Sequence, residues 1–245
     1  MFIIGAIFGS FYGVVGTRLP EEKSIVKPGS HCEKCGHYLK WYENIPLLSY
    51  IFLGGHCKKC KTPIGFVYFM TELLSGCLFA LCYKVFGISY EFFISVILSS
   101  LVIIIFVSDS KYMIINDSPL IVSAILIFII KWLDTGIVSA LMSLVYGLII
   151  FGVAYLLMLF GSLAFKQEAL GGGDIKLSFV AGMVLGVKLG ILYIVLASFL
   201  AFPYAVYVTL KNKDNMLPFG PFLVSSLLII YLNMNIISEI IKVIF

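Results

Sequence analysis

Charge is what this chain has least of. Asp, Glu, Lys and Arg make up 12% of 245 residues, against a hydrophobic share of 61%, and the mean hydropathy is +1.07. A composition so poor in charge excludes an ordinary soluble domain. Also missing is the short apolar/polar alternation of a transmembrane barrel; the apolar runs approach 20 residues with short polar breaks, as for helices crossing a hydrocarbon core. The first stretch, Met1 to Gly16, lacks a basic n-region and a small-residue cleavage pattern, so it reads as a permanent span rather than a removed signal peptide. No internal repeat and no low-complexity tract is found. The expected fold is an all-α polytopic membrane protein of about eight transmembrane helices.

What charge there is lies unevenly. The segment 18 to 65 holds eight Lys/Arg against four Glu, which equals the whole net charge of +4. By the positive-inside rule this segment is cytoplasmic and the N-terminus lies outside the cytoplasm. The chain then divides into a first transmembrane helix (1–17), a cytoplasmic module (18–65) and a transmembrane core (66–245). The later spans are expected near 66–86, 92–110, 114–133, 136–161, 174–188, 189–210 and 220–242. The sixth and seventh are separated only by glycines at 182, 186 and 190. Alternation places Lys111, Lys176 and Lys211 at the cytoplasmic face and Lys84, Lys131 and Lys188 outside.

The module carries Cys32-x-x-Cys35 and Cys57-x-x-Cys60, two thiol pairs at the spacing of a four-cysteine zinc site. A reducing cytoplasm disfavours structural disulfides, and a module this small needs a staple, so Zn2+ with a structural role is the expected cofactor. His31, His37 and His56 stand beside complete thiol pairs and are expected to be solvated. Cys77 and Cys82 lie within a span and read as small packing residues.

Two acids stand at the edges of apolar runs. Asp109 ends the third span and Asp174 opens the sixth, directly after Gly171, Gly172 and Gly173, so the topology puts both at the cytoplasmic rim at similar depth. Two carboxyls sharing a site suit acid–base hydrolysis: repulsion leaves one ionised to activate water and one protonated to assist the carbonyl oxygen. Glycines with no Cβ allow a substrate backbone to approach closely. The competing reading is a flexible turn ending in an N-cap aspartate. Asp117 reads as a residue that caps or solvates the turn between spans three and four. Glu72, inside span two, either has a role toward a bound substrate's charge or is a paired structural group. Glu168 stands just ahead of the glycines, and Lys111 and Lys176 are expected to snorkel toward headgroups.

These pieces in this order resemble the prepilin peptidases, the bacterial type IV leader peptidases that also act as N-methyltransferases. The resemblance spans about residues 9 to 222. It runs through Gly9-Ser10-Phe11, Arg18-Leu19-Pro20, the cysteine pairs around Trp41-Tyr42-Glu43-Asn44-Ile45-Pro46, Tyr68 with Glu72, Asp109 to Asp117, Glu168 to Lys176, and Pro218-Phe219-Gly220-Pro221-Phe222. It implies a GxGD-type intramembrane aspartic protease with Asp109 and Asp174 as the catalytic pair, supported by Gly171, Gly172, Gly173, Glu72, Glu168 and Lys176. It also implies cleavage of the basic leader of prepilins or pseudopilins at the cytoplasmic face of the bacterial inner membrane, typically between glycine and phenylalanine. The second implied reaction is methylation of the new N-terminus from S-adenosylmethionine, associated with the module and with Glu43, Asn44 and Pro46. Family members usually have asparagine, arginine, proline and proline where this chain has Gly13, Val67, Phe69 and Asn116.

The expected partners are prepilin or pseudopilin substrates and the lipid bilayer, with no nucleic acid; the residues do not give an oligomeric state. Two other readings are carried forward. One is a pseudopilin peptidase without methyl transfer. The other is a small metal-sensing membrane transporter whose acids relay cations and which cleaves nothing.

Overall fold

Apolar runs punctuated by glycine and proline fold as a helical bundle. The computed structural model describes residues 1–165, 171–211, 217–237 and 239. Its α-helices are α1 (Phe2–Arg18), α2 (Leu48–Phe52), α3 (Phe66–Phe86), α4 (Tyr90–Tyr112), α5 (Asp117–Thr135), α6 (Ile137–Phe165), α7 (Gly172–Leu210) and α8 (Gly220–Leu232). Among the described residues there is no strand, only two isolated antiparallel bridges, His31 with Tyr38 and His56 with Pro63. Helices α3 to α7 are long and apolar enough to cross a membrane, and α1 and α8 are shorter apolar helices. The chain is therefore a multi-pass helical membrane protein, as its composition leads one to expect. Glu168, just ahead of the glycine run, lies outside the described residues.

Helix ends follow local chemistry. The Ser89 hydroxyl accepts from the Phe92 N–H and caps α4. At the other end Met113 takes a left-handed conformation and its N–H returns to the Asp109 carbonyl, closing the last turn. A single glycine, Gly136 at φ 89° and ψ 169°, joins α5 to α6.

The same device explains α7. Gly186, within it, has φ 72° and ψ −171°, a backbone region used almost solely by glycine. The chain reverses there. A Cβ added at Gly182 would lie 2.9 Å from Ile150 Cβ, and one added at Gly190 would lie 2.7 Å from Ile150 Cγ1. Eight residues of straight helix would instead separate these positions by about 12 Å. Residues 172–185 and 187–210 are thus two antiparallel arms, and the sixth and seventh expected spans correspond to them, with the turn at Gly186 rather than between 188 and 189. Lys131 of α5 donates to the Met183 carbonyl at 2.7 Å, capping the end of the first arm.

The core is built from α4, α5, α7 and α8 around Leu98, Leu101, Leu177, Met183, Leu223 and Leu227. α1 packs on α3 and α4. Gly5 and Gly9 allow it to approach so closely that a Cβ at either would fall 2.6 Å from a carbonyl oxygen of α3. Many apolar side chains point outward, Phe199, Phe202 and Leu210 among them, as lipid-facing surfaces require. The alternating helix directions bring the end of α4 and the starts of α5, α7 and α8 to one face of the bundle.

Candidate active site and metal centre

That face holds two buried carboxylates. Asp109, one turn before the end of α4, is 6% exposed, and Asp174, in the first turn of α7, is 8% exposed. The two are close enough to interact electrostatically. Asp109 Oδ2 accepts the Gly220 N–H at 3.0 Å, a bond from the start of α8. Asp174 Oδ2 accepts the Gly171 N–H at 3.3 Å, while its Oδ1 is buried with no hydrogen-bond partner among the described residues. The positive ends of two helices, α7 and α8, therefore face the acidic pair.

Ile115 sits between the elements that carry the acids. A Cβ added at Gly173 would fall 2.6 Å from Ile115 Cβ, and one at Gly220 would fall 2.8 Å from Ile115 Cδ1 and 2.9 Å from Asp109 Oδ2. Gly172 differs, with nothing within 4 Å of the added atom, so it is the glycine that opens outward. Gly220 holds Asp109 through its backbone N–H, a contact that reading for side-chain chemistry misses; the signal in the sequence was glycine followed by proline at a helix start, within the Pro218 to Phe222 stretch of the resemblance.

The neighbouring charges are more engaged than expected. Lys176 Nζ lies 2.7 Å from both carboxylate oxygens of Asp117, an exposed pair, so Lys176 has a partner within the protein and Asp117 joins the start of α5 to α7. Glu72 Oε2 accepts the Leu47 N–H at 2.7 Å, which ties the module to α3 at a residue whose φ is 62°.

In the module, the sulfurs of Cys32, Cys35, Cys57 and Cys60 all lie within 4.8 Å of one another. Cys32 and Cys60 are 3.7 Å apart and Cys35 and Cys57 3.9 Å, too long for disulfides. A tetrahedron of thiolates at about 2.3 Å from a metal has edges of about 3.8 Å, so the cluster fits a metal ion. Both cysteine pairs sit on knuckles of one pattern: Cys32 N–H bonds the His37 carbonyl and Cys57 N–H that of Thr62, while Gly36 and Lys61 return to Cys32 and Cys57. This short structural duplication has too few shared residues to register as a sequence repeat. The Thr62 hydroxyl and N–H hold the Cys60 thiol down at about 6. The His37 N–H acts likewise on Cys35, but burial and the three other thiols prevail and push it up to about 11. Crowded sulfurs of this kind call for a cation among them.

Glu43 braces one knuckle. Its Oε2 accepts the Lys40 N–H at 3.0 Å and lies 3.1 Å from His37 Nε2, and Lys58 Nζ lies 3.7 Å from Oε1. The Lys40 N–H and then His37 hold its carboxyl below the usual range. His37 is thus engaged rather than solvated. Cys82 packs in the core as expected, whereas Cys77 faces outward. Asn44 lines a cavity of about 270 Å³ between α1 and the module, together with Ser10, Arg18, Gly29 and Ser30. Arg18 donates to the carbonyl of Ser24 and to that of Pro28, a residue of the cavity wall.

Comparison with known proteins gives consistent matches. The model of the bacterial peptidase A24 N-terminal domain matches residues 3–86, and that of the type IV leader peptidase family matches residues 96–206. A prepilin leader peptidase/N-methyltransferase of Bacillus subtilis (strain 168) is 38% identical over 235 residues, covering 95% of this chain and 92% of the relative. One of Vibrio cholerae is 29% identical over 246 residues, covering 96% of each. One of Myxococcus xanthus is 37% identical over 188 residues, covering 76% of this chain and 55% of the relative. No solved structure gives a significant match. With near-complete alignment to the Bacillus relative and two family models in tandem, this chain belongs to the type IV leader peptidase family.

Proposed function

We propose that this protein is an intramembrane aspartic endopeptidase that removes the basic leader of type IV prepilins or pseudopilins and then N-methylates the new terminus. The observation that carries the reading is the meeting of two buried carboxylates, from segments 65 residues apart, at one end of a helical membrane bundle. Relatives bearing the names of both reactions support it. The placement is the cytoplasmic face of the bacterial inner membrane, on the strength of the basic segment 18 to 65.

Hydrolysis needs one proton accepted and one donated. The ionised member of the Asp109–Asp174 pair takes a proton from water as the water oxygen attacks the scissile carbonyl, and the protonated member gives its proton to the carbonyl oxygen. The tetrahedral intermediate then collapses as a proton passes to the leaving amine. Asp174 Oδ1 is a fully buried carboxylate oxygen without a hydrogen-bond partner among the described residues, and it is the one assigned to the reacting water or carbonyl. Gly172, open to the outside, admits the extended leader, and pairing of Lys176 with Asp117 removes a cation that would repel it. Roles within the dyad belong to the pair, because two such groups titrate together.

The metal of the module is proposed to be zinc, which four thiolates in a reducing compartment suit, with a structural task. For the second reaction, Ser10, Arg18, Ser30 and Asn44 give the cavity polar walls beside the apolar Ile7, Phe11 and Val14, a mixture that suits S-adenosylmethionine. That group supplies the methyl; Arg18 is the cation available to its carboxylate.

The test is cleavage of a prepilin by purified enzyme in liposomes, comparing wild type with Asp109→Asn and Asp174→Asn. Each variant is expected to lose about 10²- to 10⁴-fold in rate while remaining folded. Near-normal cleavage by either removes that aspartate from the mechanism, and transport without cleavage would favour the cation-relay reading.

A further inference from the structure

One polar group beside the acidic pair has no place in the mechanism above. Tyr193, on the second arm of α7, is 0% exposed, and its hydroxyl closes no well-formed hydrogen bond among the described residues. An unpaired hydroxyl in the core of a membrane bundle is costly, since neither lipid nor nearby water satisfies it, and phenylalanine would fill the same volume without that cost.

The reversal at Gly186 explains where the hydroxyl points. Ser178 stands eight residues before the turn and Tyr193 seven after it, so the arms bring them opposite one another. The phenol lies beside the Ser178 hydroxyl and within electrostatic reach of Asp174. Ser178 donates to the Asp174 backbone carbonyl at 2.9 Å, so its proton is committed and its oxygen lone pairs can receive one. The tyrosine backbone is fixed from the other side, where Ser226 of α8 donates to its carbonyl oxygen at 3.1 Å. The result is a buried polar line, Tyr193 to Ser178 to Asp174, ending at the acid whose Oδ1 is unpartnered.

We propose that Tyr193 is a positioning residue for Asp174: its buried hydroxyl, unpaired in the resting structure, closes on Ser178 Oγ in the working enzyme, and this two-link chain then fixes the first turn of α7 and with it the direction of the carboxylate. The inference rests on the assignment of Asp109 and Asp174 as the protease centre.

The experiment measures prepilin cleavage kinetics and thermal midpoints for full-length enzyme in liposomes. It compares wild type, Tyr193→Phe, Ser178→Ala, the double variant and Asp174→Asn. Both single variants are expected to lose about 10- to 100-fold in kcat, the range for a slightly misplaced reacting group, with KM unchanged. The midpoint of Tyr193→Phe should hold or rise, because only an ill-satisfied hydroxyl is removed. The double variant should be no slower than the slower single one, since the two residues act in series. A lowered midpoint with normal kcat would mean a structural role and overturn the inference, as would multiplicative losses in the double variant. Normal kcat in Tyr193→Phe beside a dead Asp174→Asn overturns this inference alone. An active Asp174→Asn overturns the reading beneath it.

Discussion

Gly172 and Gly173 are adjacent and chemically identical, yet their surroundings differ. Nothing stands within 4 Å of a Cβ at Gly172, while one at Gly173 would meet Ile115 at 2.6 Å, and Ile115 has Gly220 and the Asp109 carboxylate behind it. Alanine at 173 therefore pushes a rigid β-branched side chain toward the N–H that holds Asp109. Gly173→Ala is expected to destabilise by about 1–3 kcal/mol and to abolish most cleavage, whereas Gly172→Ala keeps the wild-type thermal midpoint and raises KM for the leader. Midpoints and cleavage kinetics of the two variants check this. The acids themselves were legible in the sequence because a carboxylate at the edge of an apolar run is conspicuous. Gly220 was legible only as part of the Pro218 to Phe222 stretch, since a backbone donor leaves no mark in residue type, and Tyr193 was not legible, since an aromatic in an apolar run is what a packed core looks like. His37 was misjudged for a related reason: its partner Glu43 is brought to it by the fold of the knuckle.

At the level of elements, α7 shows how far spacing alone can be read. Three glycines at 182, 186 and 190 mark a break, but only Gly186 turns the chain, while Gly182 and Gly190 make room for Ile150. The sequence presents all three alike, which is why the arms were expected while the turn was placed two residues late. Gly186→Ala puts a Cβ into a backbone region that costs about 1–3 kcal/mol for other residues. The variant is expected to lower the thermal midpoint accordingly and to reduce kcat, because the turn sets the register between Asp174 on one arm and the residues opposite it on the other. Gly152→Ala, with nothing within 4 Å of the added atom, serves as the control with no change. The tetracysteine knuckles were readable from spacing because metal ligation fixes both residue type and interval. The anchor that joins them to the membrane helices, Leu47 N–H to Glu72, was readable only as a buried acid in want of a partner.

For the molecule as a whole, the directions of the helices matter more than any single contact, since they gather the ends of α4, α7 and α8 on one face and leave the opposite face to short connections. There the first arm of α7 ends early. From Gly172 to the turn at Gly186 it rises about 21 Å, against roughly 30 Å for the hydrocarbon of a typical bilayer. The ammonium of Lys131, four residues before the end of α5, reaches the last turn of that arm, so the reversal is recessed below its neighbour's end. Lipid has little access to the sides of this arm, for from Asp174 to Leu185 every residue except Lys176 and Phe179 is buried among neighbouring helices. The shortness of the arm is therefore met by protein and not by thinning of the bilayer. In liposomes of phosphatidylcholines of increasing chain length, the cleavage rate is expected to stay level around the ordinary width, and a rate that falls steadily as the bilayer thickens would show that lipid enters the recess. Asp174 thus rides on an arm insulated from the membrane around it.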